Sequence, residues 1–281
     1  VSLPTPAADR TAVVTGASSG IGEALARELA RRGHGVTLVA RNRHRLEALA
    51  AELSGRGVRA EVVVCDLTDR HARAGLPDQV EALGLTPDVV VNNAGVSTFG
   101  PVAASEPSAE LAQLELDVLA VADLCSRFLP GMVERHRGAV LNVASTAAFQ
   151  PLPGQAAYGA AKAFVLSYTE SLSGELRGSG VTVSVLCPGP VDTGFGERAG
   201  FPKEVAEASL PVVLWETPEA VATVAIDALE RGRVVAIPGL ANRAAAAVAR
   251  LTPHRVLVPL LARSHPGVPG PGSGRSASSD G

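Results

Sequence analysis

The chain has 281 residues, of which 46% are apolar and 19% charged, with a formal net charge of −3. This length and apolar content supply a core for a large folded domain and exclude disorder throughout. The near-neutral balance offers no basic footprint for nucleic acid, which is not an expected partner, and no polybasic membrane patch.

Residues 1–8 read as a tail with Pro4 and Pro6, lacking the basic start and apolar core of a signal segment. Short β-branched runs then alternate with Ala/Leu/Glu/Arg-rich stretches of helical spacing. Strands are predicted at 11–15, 35–40, 59–65, 88–92, 139–144, 181–186 and 234–238. Several are apolar at nearly every position, as in strands covered on both faces. Helices are predicted at 21–32, 43–53, 108–135, 156–174 and 218–231, with Gly33, Gly178 and Gly232 as stops after three of them. Pro130-Gly131 should kink or break the third. The alternation implies an α/β fold, a doubly wound parallel sheet of Rossmann type flanked by helices, over residues 9–240. Residues 241–263, split by Pro253, read as a C-terminal helical appendage that docks on the domain, on a partner subunit or on a membrane surface. The Pro/Gly/Ser-rich stretch 264–281 reads as a disordered tail.

No apolar run reaches the ~20 residues of a membrane span; Val256 to Ala262 is typical of the longest. Cys65, Cys125 and Cys187 are far apart and lack metal-ligand spacing, which fits small buried hydrophobes in a reducing, cytoplasmic setting. The six histidines show no metal-ligand spacing either and read as surface residues, so no metal is expected.

The first strand runs into Thr15-Gly16-Ala17-Ser18-Ser19-Gly20-Ile21-Gly22 and then a helix. Glycines permit a sharp turn and close backbone approach to a pyrophosphate, and the helix N-terminus supplies a positive dipole end. Gly16-Ala17-Ser18-Ser19-Gly20 also spells the Gly-x-Ser-x-Gly elbow of serine hydrolases. Only fifteen residues precede it, too few for the strands that such an elbow follows. After the second strand, Ala40 stands where an acidic residue would select NAD, and Arg41 follows. A guanidinium there can pair with a 2′-phosphate, which favours NADP(H) with NAD(H) possible; the alternative is a solvated charge like Arg43 and Arg45.

Tyr158 and Lys162 lie four residues apart on one predicted helical face. The chain has only two tyrosines and two lysines, the others being Tyr168 and Lys203, so the spacing is informative. An ammonium favours the phenolate and is expected to pull the Tyr158 pKa down toward general acid/base use. Ser145 ends the strand thirteen residues earlier, where its hydroxyl can reach a developing oxyanion.

Together with Asp66, Asn92-Asn93-Ala94-Gly95 and Pro188-Gly189, these motifs make the chain resemble the short-chain dehydrogenase/reductase family, in its compact single-domain branch. The resemblance implies that Tyr158 exchanges the proton, Ser145 holds the carbonyl, and Lys162 binds the nicotinamide ribose and tunes Tyr158. It further implies that Asp66 contacts adenine, that Asn92 and Gly95 frame the cofactor, and that Pro188, Gly189 and Thr193 lie along the carboxamide. The expected cofactor-binding set is Gly16, Ser18, Ser19, Gly20, Ile21, Gly22, Arg41, Asp66, Leu67, Asn93, Ala94, Gly95, Tyr158, Lys162, Pro188, Gly189, Val191 and Thr193. One position departs from the family pattern: Asp117 stands where an Asn usually completes a relay to the lysine, and it joins the expected catalytic set.

The implied substrate pocket comprises 96–99, 146–152 and 194–201, with few charges, which favours a neutral, apolar ketone, aldehyde or alcohol. Phe149, Phe195 and Phe201 suit this pocket or the core equally. The resemblance also implies a mobile lid at 204–215, where Pro202 and Pro211 would bracket a short helical piece and Trp215 would cover the substrate or a subunit contact. The expected protein is an NADP(H)-dependent oxidoreductase acting on a small-molecule carbonyl or alcohol as a homodimer or homotetramer. The alternatives are a nucleotide-sensing module with little turnover and, more remotely, the serine hydrolase.

Overall fold

The computed structural model describes residues 3–200 and 210–268. Its centre is a seven-stranded parallel sheet in the order β3-β2-β1-β4-β5-β6-β7. The strands are β1 Arg10–Thr15, β2 Val36–Ala40, β3 Ala60–Val64, β4 Thr86–Asn92, β5 Gly138–Val143, β6 Val181–Leu186 and β7 Val235–Ala236. Valines dominate because β-branched side chains suit a pleated surface covered on both faces; every residue of β5 and β6 is buried.

Alternate residues of each strand feed two core layers. Val13, Val90, Val140 and Val183 pack with Leu124, Phe128 and Val165. Val14, Val91 and Leu141 pack on the other face with Leu25, Leu46, Val221 and Ile226. The layers come from α1 Gly20–Arg31, α2 Arg43–Ser54 and α9 Pro218–Glu230 on one side, and from α6 Ala120–Glu134 and α7 Ala156–Glu175 on the other. Connections leave β1 and β4 for opposite faces, and the crevice between their carboxyl ends is where such sheets take ligands.

The structure differs from expectation in several places. Two short helices absent from the sequence reading, α3 Arg70–Ala74 and α4 Leu76–Ala82, link β3 to β4. Asp69 caps α3 by accepting from the backbone N–H groups of His71 and Ala72. The long helix expected at 108–135 is not broken at Pro130, which rides inside α6. It changes character upstream instead: α5 Pro107–Leu114 widens into a π turn at Glu115–Leu119 before α6 begins. His34 is buried, not at the surface, and burial pushes its pKa down. A four-residue helix, α8 Phe195–Arg198, follows β6; Phe201, Pro202, Lys203 and residues 204–209 of the expected lid lie outside the described residues.

The appendage forms two helices around Pro253, α10 Leu240–Leu251 and α11 His254–Ser264. Residues 265–268, expected within a disordered tail, fold back: the His265 ring lies 5.7 Å from that of Phe99, and Gly267 is buried. Residues 269–281 lie outside the described residues. Among the described residues no helix is long and apolar enough to cross a membrane.

Candidate active site

At the carboxyl end of β1, Thr15 ties the glycine turn to the next loop. Its hydroxyl donates to the Val91 carbonyl (3.1 Å) and accepts from the N–H groups of Asn93 (2.9 Å) and Ala94 (3.1 Å). Asn93 Nδ2 returns a bond to the Thr15 carbonyl at 2.9 Å. Gly16 has φ +65°, and a Cβ there would lie 2.8 Å from Asn93 Nδ2. Gly20 has φ +58°, and its Cβ would meet Thr193 Cβ at 2.8 Å. Only glycine fits these positions, which leaves the N-terminus of α1 open to the crevice.

A cavity of about 1000 Å³ fills that crevice. Its β1–β3 end is lined by Gly16, Ser18, Ser19, Gly20, Ile21, Arg41, Arg45, Asp66 and Leu67. Asn93, Ala94, Gly95, Ser145, Tyr158, Lys162, Pro188, Gly189, Val191 and Thr193 line its middle. The helical N-terminus, the two guanidiniums and the volume of this trough suit a phosphorylated dinucleotide. Of the residues expected to bind the cofactor or take part in catalysis, three do not line it. Gly22 packs against the Gly16 carbonyl and Asn93 Nδ2, making the turn compact. Asn92 does not frame the cavity: it is buried in the core, donating to Asn142 Oδ1 at 2.8 Å and Cys125 Sγ at 3.4 Å. Asp117 is the third.

Asp117 is fully buried behind the cavity wall, presented by the π turn. Its Oδ1 accepts from Val96 N–H at 2.9 Å, and its Oδ2 lies 3.1 Å from Lys162 Nζ. Lys162 also donates to the Val143 carbonyl (3.3 Å), and its ammonium sits 5.5 Å from the Tyr158 ring centre. α7 therefore presents tyrosine and lysine to one wall, as their spacing predicts. Ser145, whose Oγ accepts from Ala147 N–H at 3.1 Å, faces the same cavity.

The electrostatics correct one expectation. Burial pushes the Tyr158 phenol up, outweighing Lys162 and a Ser145 hydrogen bond, which pull it down; Asp117 adds to the rise. Burial opposes the Lys162 ammonium, but Asp117 and Tyr158 overcome it and push that pKa up. The Asp117 carboxyl is itself pushed up by burial, against the opposing pull of Lys162. All three cysteines are buried, and burial pushes Cys125 and Cys187 up to about 12, which disfavours thiolate chemistry beside Pro188.

The remaining wall is assembled from distant segments. Leu152, Phe195, Leu210, Leu214, Trp215 and Leu261 line it, with Phe195 at 5.8 Å from the Tyr158 ring. Phe149 is instead a core residue beneath α10. Sequence reasoning missed Gln155, Asn242 and His265. Gln155 donates to Ser97 Oγ (2.7 Å), and its Oε1 lies 3.3 Å from His265 Nε2. Asn242 donates to the Leu214 carbonyl (3.0 Å) and crowds Gly189 so closely that no Cβ fits there. Nothing local marks Asn242 or His265, and Gln155 lies just before the helix that carries Tyr158, outside its helical spacing.

A parallel sheet opening at a glycine-lined helix N-terminus, over a trough with a tyrosine and a lysine on one wall, defines a Rossmann-type dinucleotide-binding protein. The short chain dehydrogenase family profile matches residues 10–201, and the chain belongs to that family. A short chain dehydrogenase of Pseudocercospora fijiensis is 38% identical over 189 residues, covering 66% of this chain and 61% of that protein. The chain thus spans less than two thirds of that relative's length. A short-chain dehydrogenase of Sphingobium yanoikuyae, solved with NADPH, superposes with TM-score 0.76 at 33% identity, covering 89% of this chain and 95% of its own. A short chain dehydrogenase/reductase of Burkholderia phymatum, solved with NAD, gives 0.75 at 27% identity, covering 85% and 92%.

Proposed function

We propose that the protein is an NADP(H)-preferring oxidoreductase that interconverts a neutral, apolar ketone or aldehyde with its alcohol. The observation that carries this reading is the shared cavity: Tyr158, Lys162 and Ser145 face the same trough as the glycine turn and Arg41. A nicotinamide dinucleotide, when bound, supplies or accepts the hydride. Gly16, Ser18, Ser19, Gly20 and Ile21 would hold its pyrophosphate at the start of α1. Arg41, with Arg45 beside it, would pair with a 2′-phosphate, and NAD(H) would bind without that contact. Asp66 and Leu67 would flank adenine.

During reduction Tyr158 Oη gives its proton to the substrate oxygen, and the reverse transfer serves oxidation. Ser145 Oγ donates to that oxygen as negative charge develops. Lys162 holds a positive charge near the phenol, favouring the phenolate against the effect of burial. Asp117 touches neither substrate nor cofactor; it is a positioning residue that fixes the ammonium and the Val96 loop. The apolar side chains of that wall, Leu152, Phe195, Leu214, Trp215 and Leu261, favour an uncharged substrate, since a charge against them would lose its water.

The test is NADPH consumption across chemically diverse ketones and aldehydes. Tyr158→Phe should lower turnover by about 10³-fold while NADPH still binds. Equal turnover by that variant would end the reading. A second reading, a nucleotide sensor with little turnover, is favoured by the carboxylate buried against Lys162. NADPH binding without reduction of any carbonyl would select it.

A further inference from the structure

The formal charge of −3 conceals a local asymmetry. Helices α10 and α11 carry Arg243, Arg250, Arg255 and Arg263, and no Asp or Glu. Arg243 Nε donates to the Ile237 carbonyl (2.8 Å) and the Arg250 guanidinium lies 5.4 Å from the Phe149 ring, so these two are held to the domain while Arg255 and Arg263 are exposed. On α10, Asn242, Ala246 and Ala249 form the face buried against the domain. Leu240, Ala244, Val248 and Leu251 recur at helical spacing on the opposite face. Leu240 and Leu251 are 80% and 84% exposed, among the most exposed large apolar side chains described. On α11, Val256 and Leu260 are exposed one turn apart, alongside exposed Arg255 and Arg263. The exposed Val212 and Val213 lie on the turn Val212–Leu214, which packs against α10. Glu216 lies at the root of the unit, against Gly239.

Outward apolar side chains accompanied by the exposed Arg255 and Arg263 have two natural occupants: a second copy of the chain or an anionic lipid surface. A two-fold contact would set this patch against itself. Arginines would then face arginines across a dry interface with no carboxylate from either helix to pair with them. A membrane interface has the opposite complementarity, with acyl chains for the leucines and valines and acidic headgroups for the guanidiniums. We propose that α10 and α11 form an interfacial anchor that lays this face on an anionic bilayer without crossing it. Ala245, Ala246, Ala249 and Leu261 line the cavity, so docking would bring the cavity close to the lipid. The anchor itself does not rest on the proposed reaction.

The experiment sediments the full-length protein with vesicles of phosphatidylcholine alone, or of phosphatidylcholine and phosphatidylglycerol in equal parts. Binding to the anionic vesicles is expected, weakening between about 0.1 M and about 0.5 M salt as screening shortens. Arg255→Gln with Arg263→Gln should weaken it roughly 25-fold, at about fivefold per basic side chain. Leu240→Ser with Leu251→Ser should weaken it by at least about tenfold. Both variants should bind NADPH like the parent, which separates loss of the anchor from loss of the fold or failure of the proposed reaction. Absence of anionic-vesicle binding by the parent, or binding indifferent to either pair of substitutions, overturns the proposal. A parent dimer that leaves vesicles unbound and that the leucine substitutions split into monomers would assign the face to a second copy.

Discussion

Cofactor selection can be tested at the two guanidiniums that line the β2 end of the cavity. Arg41 has a side chain 71% exposed and lies 4.0 Å from Asp66 Oδ2; Arg45 lines the same end. A hydrogen bond to a charged group contributes about 1.5–3 kcal/mol where water is excluded. At this exposure, with Asp66 competing, about 1 kcal/mol per arginine is the appropriate scale. Arg41→Ala should therefore reduce the NADPH-over-NADH preference about fivefold, and the double variant with Arg45→Ala by roughly 30-fold. NADH affinity should move little, because that ligand presents no 2′-phosphate. Titrating intrinsic or nucleotide fluorescence with each cofactor gives both dissociation constants directly. The preference should also narrow as salt rises, since the pairs are solvent-exposed. Equal affinities in the parent protein, or a double variant with an unchanged ratio, would refute this assignment.

Three further outcomes follow from the site. Ser145→Ala should lower kcat by about 10²-fold with NADPH affinity intact, the cost of one oxyanion donor; a change confined to KM would give the hydroxyl a binding role only. Asp117→Asn keeps an acceptor for Val96 N–H but removes a charge that pushes the Tyr158 phenol up. The pH at which alcohol oxidation rises should fall in that variant. An unchanged profile would deny the coupling, and an upward shift would mean that Lys162 had lost its charge. Arg73, only 4% exposed in its side chain, binds Asp123 (2.7 Å), Glu115 (3.0 Å) and the Leu67 carbonyl (2.6 Å). Arg73→Ala should cost about 2 kcal/mol, less than a fully buried pair because Arg70 also serves Glu115. Urea unfolding with an unshifted midpoint would show that this cluster adds nothing.

What the sequence by itself determined is local and periodic. Valine-rich strands alternating with helices imply a parallel sheet, because only strands covered on both faces can be apolar throughout. The glycine turn is legible because positive φ and close approach require glycine at Gly16 and Gly20, and Tyr158 with Lys162 because four residues make about one helical turn. Tertiary structure decided whatever depends on which side of a wall a group lands. Asn92 and Asn93 are adjacent, yet strand alternation turns one into the core and the other toward Thr15. The π turn carries Asp117 behind Lys162, and the chain's return from α11 brings His265 to Gln155. Even the direction of the Tyr158 pKa is a tertiary result. Helical spacing supplies the ammonium that lowers it, while the segments assembled around the cavity bury the phenol enough to outweigh that ammonium.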